Sequence, residues 1–163
     1  MRKRIAVFGG SLFQDIKLES GKYITTSKQA LIKLSNKYDI DNFSLTGLTI
    51  ERAYRLLKGL DIKKVYNDCI LALGEADLND VTSFENNLSK TIEYLLNNDV
   101  RPLLVSLPAE ILTDSRAMAI QEIIDHVAIK YNIDYIYDGR TDKIVSYIVL
   151  DNDDMSNAIL ELC

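Results

Sequence analysis

The chain has 163 residues, of which 47% are hydrophobic and 26% charged, and its formal net charge is −5. That length and balance predict one globular domain spanning residues 1–163 with a sizeable core, and exclude a chain too polar to fold. The acidic balance argues against nucleic acid or an anionic membrane as partner, because both reward a basic patch.

Met1-Arg2-Lys3-Arg4 has the charge of a signal-peptide start, but the apolar run at 5–8 is too short for a signal core and ends in Gly9-Gly10. No run approaches membrane-spanning length. The first strand is expected at 4–8. An amphipathic helix follows at 27–38, with Ala30, Leu31, Leu34 and Tyr38 on one face. A second strand is read at 42–45 and a helix at 50–60 with Ala53, Tyr54 and Leu57 inward. The third strand, at 65–73, carries Cys69, and a helix at 84–96 turns Leu88, Ile92, Leu95 and Leu96 to the core. The fourth strand is expected at 102–106. A helix over 115–131 follows, with Thr113-Asp114-Ser115 as cap donors and Ile120, Ile123, Ile124, Val127 and Ala128 in its stripe. A fifth strand lies at 133–137 and a terminal helix at 155–162.

Short apolar strands alternating with helices predict a parallel five-stranded sheet covered on both faces, a three-layer α/β/α sandwich. Ligands of such sheets bind beyond the carboxyl ends of the strands, so the loops after Phe8, Leu45 and Leu73 are where function is sought. The two cysteines, Cys69 and Cys163, suggest neither a disulfide framework nor a metal site, and the expected compartment is a reducing cytoplasm. No nucleotide-binding glycine loop and no His/Cys metal spacing is present, so no cofactor is expected. The cluster Asp151, Asp153, Asp154 lacks the alternating ligand loop of a calcium motif and reads as a solvated turn before a helix.

The three loops carry a pattern. The first is Phe8-Gly9-Gly10-Ser11-Leu12, the second runs from Asn42 through Ser44, Gly47 and Thr49, and the third is Gly74-Glu75-Ala76-Asp77. Taken singly, each reads as a turn ahead of a helix. In order and spacing they resemble the blocks of the SGNH (GDSL-type) hydrolases, whose fold is flavodoxin-like. The resemblance implies that Ser11 stands at the nucleophile and Gly10 at the preceding aspartate. It implies oxyanion-hole positions at the backbone N–H groups of Ser11 and Gly47 and at Ala76, where the family carries asparagine, with Asp77 closing the block. The family's Asp-x-x-His aligns with Asp151 to Asp154, which puts Asp154 at the base. A second alignment, Asp138 to Thr141, offers Thr141 there instead.

An alanine methyl donates no hydrogen bond to an oxyanion, and an aspartate of ordinary pKa is a poor base toward a serine hydroxyl. The single histidine, His126, falls at the edge of the apolar stripe of the 115–131 helix, away from the carboxyl ends. The resemblance therefore implies a catalytically impaired protein holding a small acyl or glycosyl ligand, or a protein partner. Its alternative is an active acyl hydrolase using Ser11 with an unconventional base such as Asp154 or Asp77.

Overall fold

The computed structural model describes residues 2–10, 13–27, 29–108, 111–136, 159, 160 and 162. Ser11, Asp138, Thr141, Asp151, Asp154 and Cys163 lie outside the described residues. β1 (Arg4–Gly9) is followed by a hairpin of β2 (Gln14–Glu19) and β3 (Lys22–Ser27), then by α1 (Gln29–Leu34) and β4 (Asp39–Asn42). Next come α2 (Ile50–Gly59), α3 (Ile62–Val65), β5 (Asp68–Ala72), a 3₁₀ turn (Glu75–Asp77) and α4 (Val81–Asn97). The chain continues through β6 (Arg101–Val105), α5 (Ser115–Tyr131) and β7 (Asp134–Ile136).

Five strands form one parallel sheet in the order β4-β1-β5-β6-β7, with β1 paired on both sides. The central strands β1, β5 and β6 alternate their side chains between two apolar layers, as strands buried on both faces must. Ala6, Phe8, Cys69, Leu71 and Leu104 face the layer that includes Ala53 and Leu57 of α2, Leu88 and Ile92 of α4, and Ile120 and Ile124 of α5. Ile5, Val7, Ile70, Leu103 and Val105 face Leu31, Leu34, Tyr38 and Ile159. The expected α/β/α sandwich is the observed one.

Three boundaries differ from the sequence reading. The second strand lies at Asp39–Asn42 rather than 42–45. Pairing with β1 nonetheless runs on, Phe43 N–H donating to the Val7 carbonyl at 2.8 Å and Leu45 N–H to the Gly9 carbonyl at 2.9 Å. Alongside these bonds the Asn42 side-chain oxygen accepts from Ser44 N–H at 3.0 Å, an Asx turn at the start of the loop. The third strand begins at Asp68, since 62–65 form the single turn α3. The first helix is cut to Gln29–Leu34: the hairpin takes Ser27, and turns follow Leu34, whose carbonyl accepts from both Lys37 and Tyr38 N–H at 3.0 Å. The hairpin's turn is Ser20-Gly21, both at positive φ (52° and 75°), which suits a two-residue connection. That dipeptide between two β-rich runs was the available signal for it.

Charge is placed at the amino ends of the strands. Arg2, Lys3 and Arg4 pair with Asp39, Asp68 and Asp41. The buried Asp68 also takes Arg101 at 3.2 Å, whose guanidinium in turn donates to the Leu162 carbonyl at 2.9 Å. The basic start of the chain is thereby a structural clasp. Among the described residues no helix is long and apolar enough to cross a membrane.

Candidate functional site

After β1 the chain crosses to β4 on one side and returns to β5 on the other, so the strand order reverses at β1. Sheets of this kind place their ligand crevice at such a reversal, here the carboxyl end of β1. The glycines there fix how closely the loops meet. A Cβ added to Gly9 would stand 3.0 Å from Phe13 Cδ2, 3.2 Å from Ser44 Oγ and 3.5 Å from Ala72 Cβ. The turn leaving β1 is thus held between the loop after β4 and the end of β5. Gly10 donates its N–H to the Ala72 carbonyl at 3.4 Å, and a Cβ added to it would lie 3.4 Å from Glu75 Oε1. The first and third loops therefore meet directly, through Gly10 and the Glu75 carboxylate.

Gly47 sits in a tight turn closed by Leu48 N–H donating to the Leu45 carbonyl at 2.9 Å. Its φ of 84° explains the glycine, for an added Cβ would meet nothing within 4 Å. Backbone conformation, not close packing, selects glycine there. Gly74 is the opposite case. At φ 127° its added Cβ would fall 2.8 Å from Ile120 Cγ2 and 3.0 Å from Leu107 Cδ2. The turn after β5 is pressed against α5 and the segment after β6.

Ala76 is in the 3₁₀ turn and half-buried, while Asp77 at its end is buried. The Asp77 carboxylate accepts from Ile50 N–H at 3.3 and 3.4 Å, at the start of α2. Thr49 is the N-cap and accepts from Arg52 N–H at 3.3 Å. An anion at a helix N-terminus is favoured, but these bonds are long and the carboxylate is out of bulk solvent. Burial wins. It pushes the Asp77 carboxyl up to about 6, against the smaller lowering by Ile50 N–H, with Asp80 adding to the rise.

Because the folded form holds its proton more tightly than the unfolded chain, Asp77's contribution to stability is complete below pH 3.8. It is lost as pH rises through 6. The difference in urea unfolding free energy between the wild type and Asp77→Asn should shift by at most about 3 kcal/mol between pH 4 and 7, disfavouring the wild type as pH rises. Asparagine keeps the acceptor for Ile50 and removes the charge. A wild-type-minus-variant difference that is flat with pH would contradict this.

A buried polar network that sequence reading missed anchors the segment after β6. Gln121 is fully buried, and its Oε1 accepts from Leu107 N–H at 2.8 Å. Its Nε2 donates to Asp125 Oδ1 at 2.9 Å and to Tyr135 Oη at 2.5 Å, and Tyr135 donates to Asp125 at 2.6 Å. The available signal was a glutamine inside the apolar stripe of α5, since buried amides are retained where they are satisfied. His126 is exposed on α5. That helix starts on the carboxyl side of the sheet and runs back, so the imidazole stands toward its far end.

No protein-family model and no curated protein sequence matches the chain. Solved structures do. The lipase/acylhydrolase from Enterococcus faecalis is similar with a TM-score of 0.73 at 14% identity, over 98% of this chain and 94% of that one. A structure described as a lipolytic protein of the G-D-S-L family from Desulfitobacterium hafniense DCB-2 gives 0.72 at 12%, over 99% of each chain. The psychrotrophic esterase EstA from Pseudoalteromonas sp. gives 0.65 at 13%, over 98% and 95%. Across nearly its whole length the chain has the α/β fold of these GDSL-type esterases and lipases.

Proposed function

We propose that this chain is a degenerate SGNH-type, hydrolase-like protein that holds a small acyl or glycosyl ligand, or a protein partner, in the crevice at the end of β1 without turning it over. The observation that carries the reading is the third loop's chemistry. Where the resemblance puts an oxyanion-stabilising asparagine stands Ala76, and beside it the Glu75 carboxylate reaches Gly10. Acyl transfer builds negative charge on the reacting carbonyl oxygen, and catalysis depends on donors aimed at it. A methyl supplies no donor, and a nearby carboxylate repels the charge as it forms.

The chain's one imidazole, exposed on α5, adds nothing to a base, and without a base the Ser11 hydroxyl keeps its proton at neutral pH. The alternative, an active acyl hydrolase using Ser11, draws its support from Asp77, whose carboxyl is raised toward the range of a working base. Its carboxylate oxygens face Ile50 N–H, however, and hold the start of α2. A structural cap is the reading this geometry favours.

The test is hydrolysis of short activated acyl esters by purified protein. Wild type should be no faster than Ser11→Ala, and His126→Ala should match both. Robust hydrolysis abolished by Ser11→Ala would overturn the proposal and direct the search for a base to Asp77, Glu75 and Asp154.

A further inference from the structure

A cavity of about 390 Å³ opens between the outer face of α2 and the loop leaving β4, lined by Leu45, Leu48, Arg52, Arg55 and Leu56. It borders the crevice, since Leu45 is hydrogen-bonded to Gly9. Arg52, Arg55 and Leu56 are spaced i, i+3, i+4, which sets them on one helix face. Leu45 and Leu56 are left 50% and 46% exposed, and the buried Leu48 forms the floor. A single exposed leucine is ordinary. Two that share one hollow with two guanidiniums make an apolar slot with a cationic rim.

The charges at the rim do not cancel. Arg55 is paired with Glu51 at 2.5 Å, whereas Arg52 makes no ion pair among the described residues. One positive charge is therefore left facing the slot, on a chain whose net charge is −5. The volume lies at the lower end of the range for small-molecule sites, about 300–1,000 Å³, which suits a short tail rather than a bulky ring system.

The geometry points to a binding site for a monoanionic amphiphile, a short-chain acyl carboxylate whose head meets Arg52 and whose tail lies on Leu45, Leu48 and Leu56. This rests on the reading of the neighbouring crevice as a ligand-holding site. Apolar contact supplies the attraction in proportion to tail length, and the guanidinium selects the charged head.

Calorimetric titration of the full chain with octanoate tests this. Saturable one-site binding is expected. Arg52→Gln should weaken it about tenfold, and octanamide, which keeps the tail and loses the charge, should bind the wild type about tenfold more weakly than octanoate. Leu56→Asp should abolish it. Both substitutions fall on exposed side chains, so unchanged thermal midpoints would certify that the variants are folded. Absence of octanoate binding, or equal binding by Arg52→Gln or of octanamide, would overturn the site. Ser11-dependent ester hydrolysis alongside octanoate binding would instead sink the non-catalytic reading alone.

Discussion

Ala76→Asn combined with Asp154→His is expected to create Ser11-dependent ester hydrolysis where none is expected of the wild type, with a gain of several orders of magnitude over either change alone. An oxyanion donor is worth about a hundredfold to a thousandfold, and the base of a serine triad several orders more. Groups that act as a unit are far from additive. A donor without a base leaves the serine protonated, and a base without a donor attacks into an unsupported oxyanion. Adding Glu75→Gln to the pair should raise the rate further, because it removes the carboxylate at Gly10. Position 154 is chosen from the resemblance, so Thr141→His is the parallel substitution for its second alignment. Initial rates on activated esters, each compared with its own Ser11→Ala version, measure the gain. Equal rates from the single and paired variants would show that the loss of these two groups is not what silences the crevice.

The second large effect is on stability. Gly74→Ala should destabilise the fold by about 4 kcal/mol, from a backbone held at positive φ together with overpacking against Ile120 and Leu107. That is a large share of the roughly 5–15 kcal/mol that holds a domain together. Gly47→Ala is the matched control. It carries the same kind of backbone strain but meets open space, so about 1 kcal/mol is expected. Urea unfolding of the two variants should separate them clearly, and equal losses would mean that the turn after β5 relaxes away from α5.

The layered sheet was legible because β1, β5 and β6 are short, apolar and flanked by amphipathic helices. Such strands must be buried on both faces whatever the tertiary detail. The boundaries that slipped did so for local reasons. Asn42 closes a side-chain turn on Ser44 while the backbone bonds to β1 run on, and Ser20-Gly21 makes a hairpin whose last residue, Ser27, helix periodicity had claimed. The three loops at the carboxyl end of the sheet stood out by their glycines. What the glycines do was not legible, for Gly47 answers to φ and Gly74 to both φ and packing. Glu75 carried no sequence signal at all. Only the fold brings its carboxylate to Gly10, 65 positions earlier in the chain. Gln121 was visible as a polar residue in an apolar stripe, but its partners Leu107 and Tyr135 come from other elements.

The nucleophilicity of Ser11 tests the central claim without any choice of substrate. A fluorophosphonate ester reacts with serines that a neighbouring base has activated, and intact-mass spectrometry with peptide mapping reads the adduct. The wild type should remain unmodified under conditions that label an active GDSL-type esterase to completion. Stoichiometric phosphonylation at Ser11, absent from Ser11→Ala, would contradict the non-catalytic reading outright.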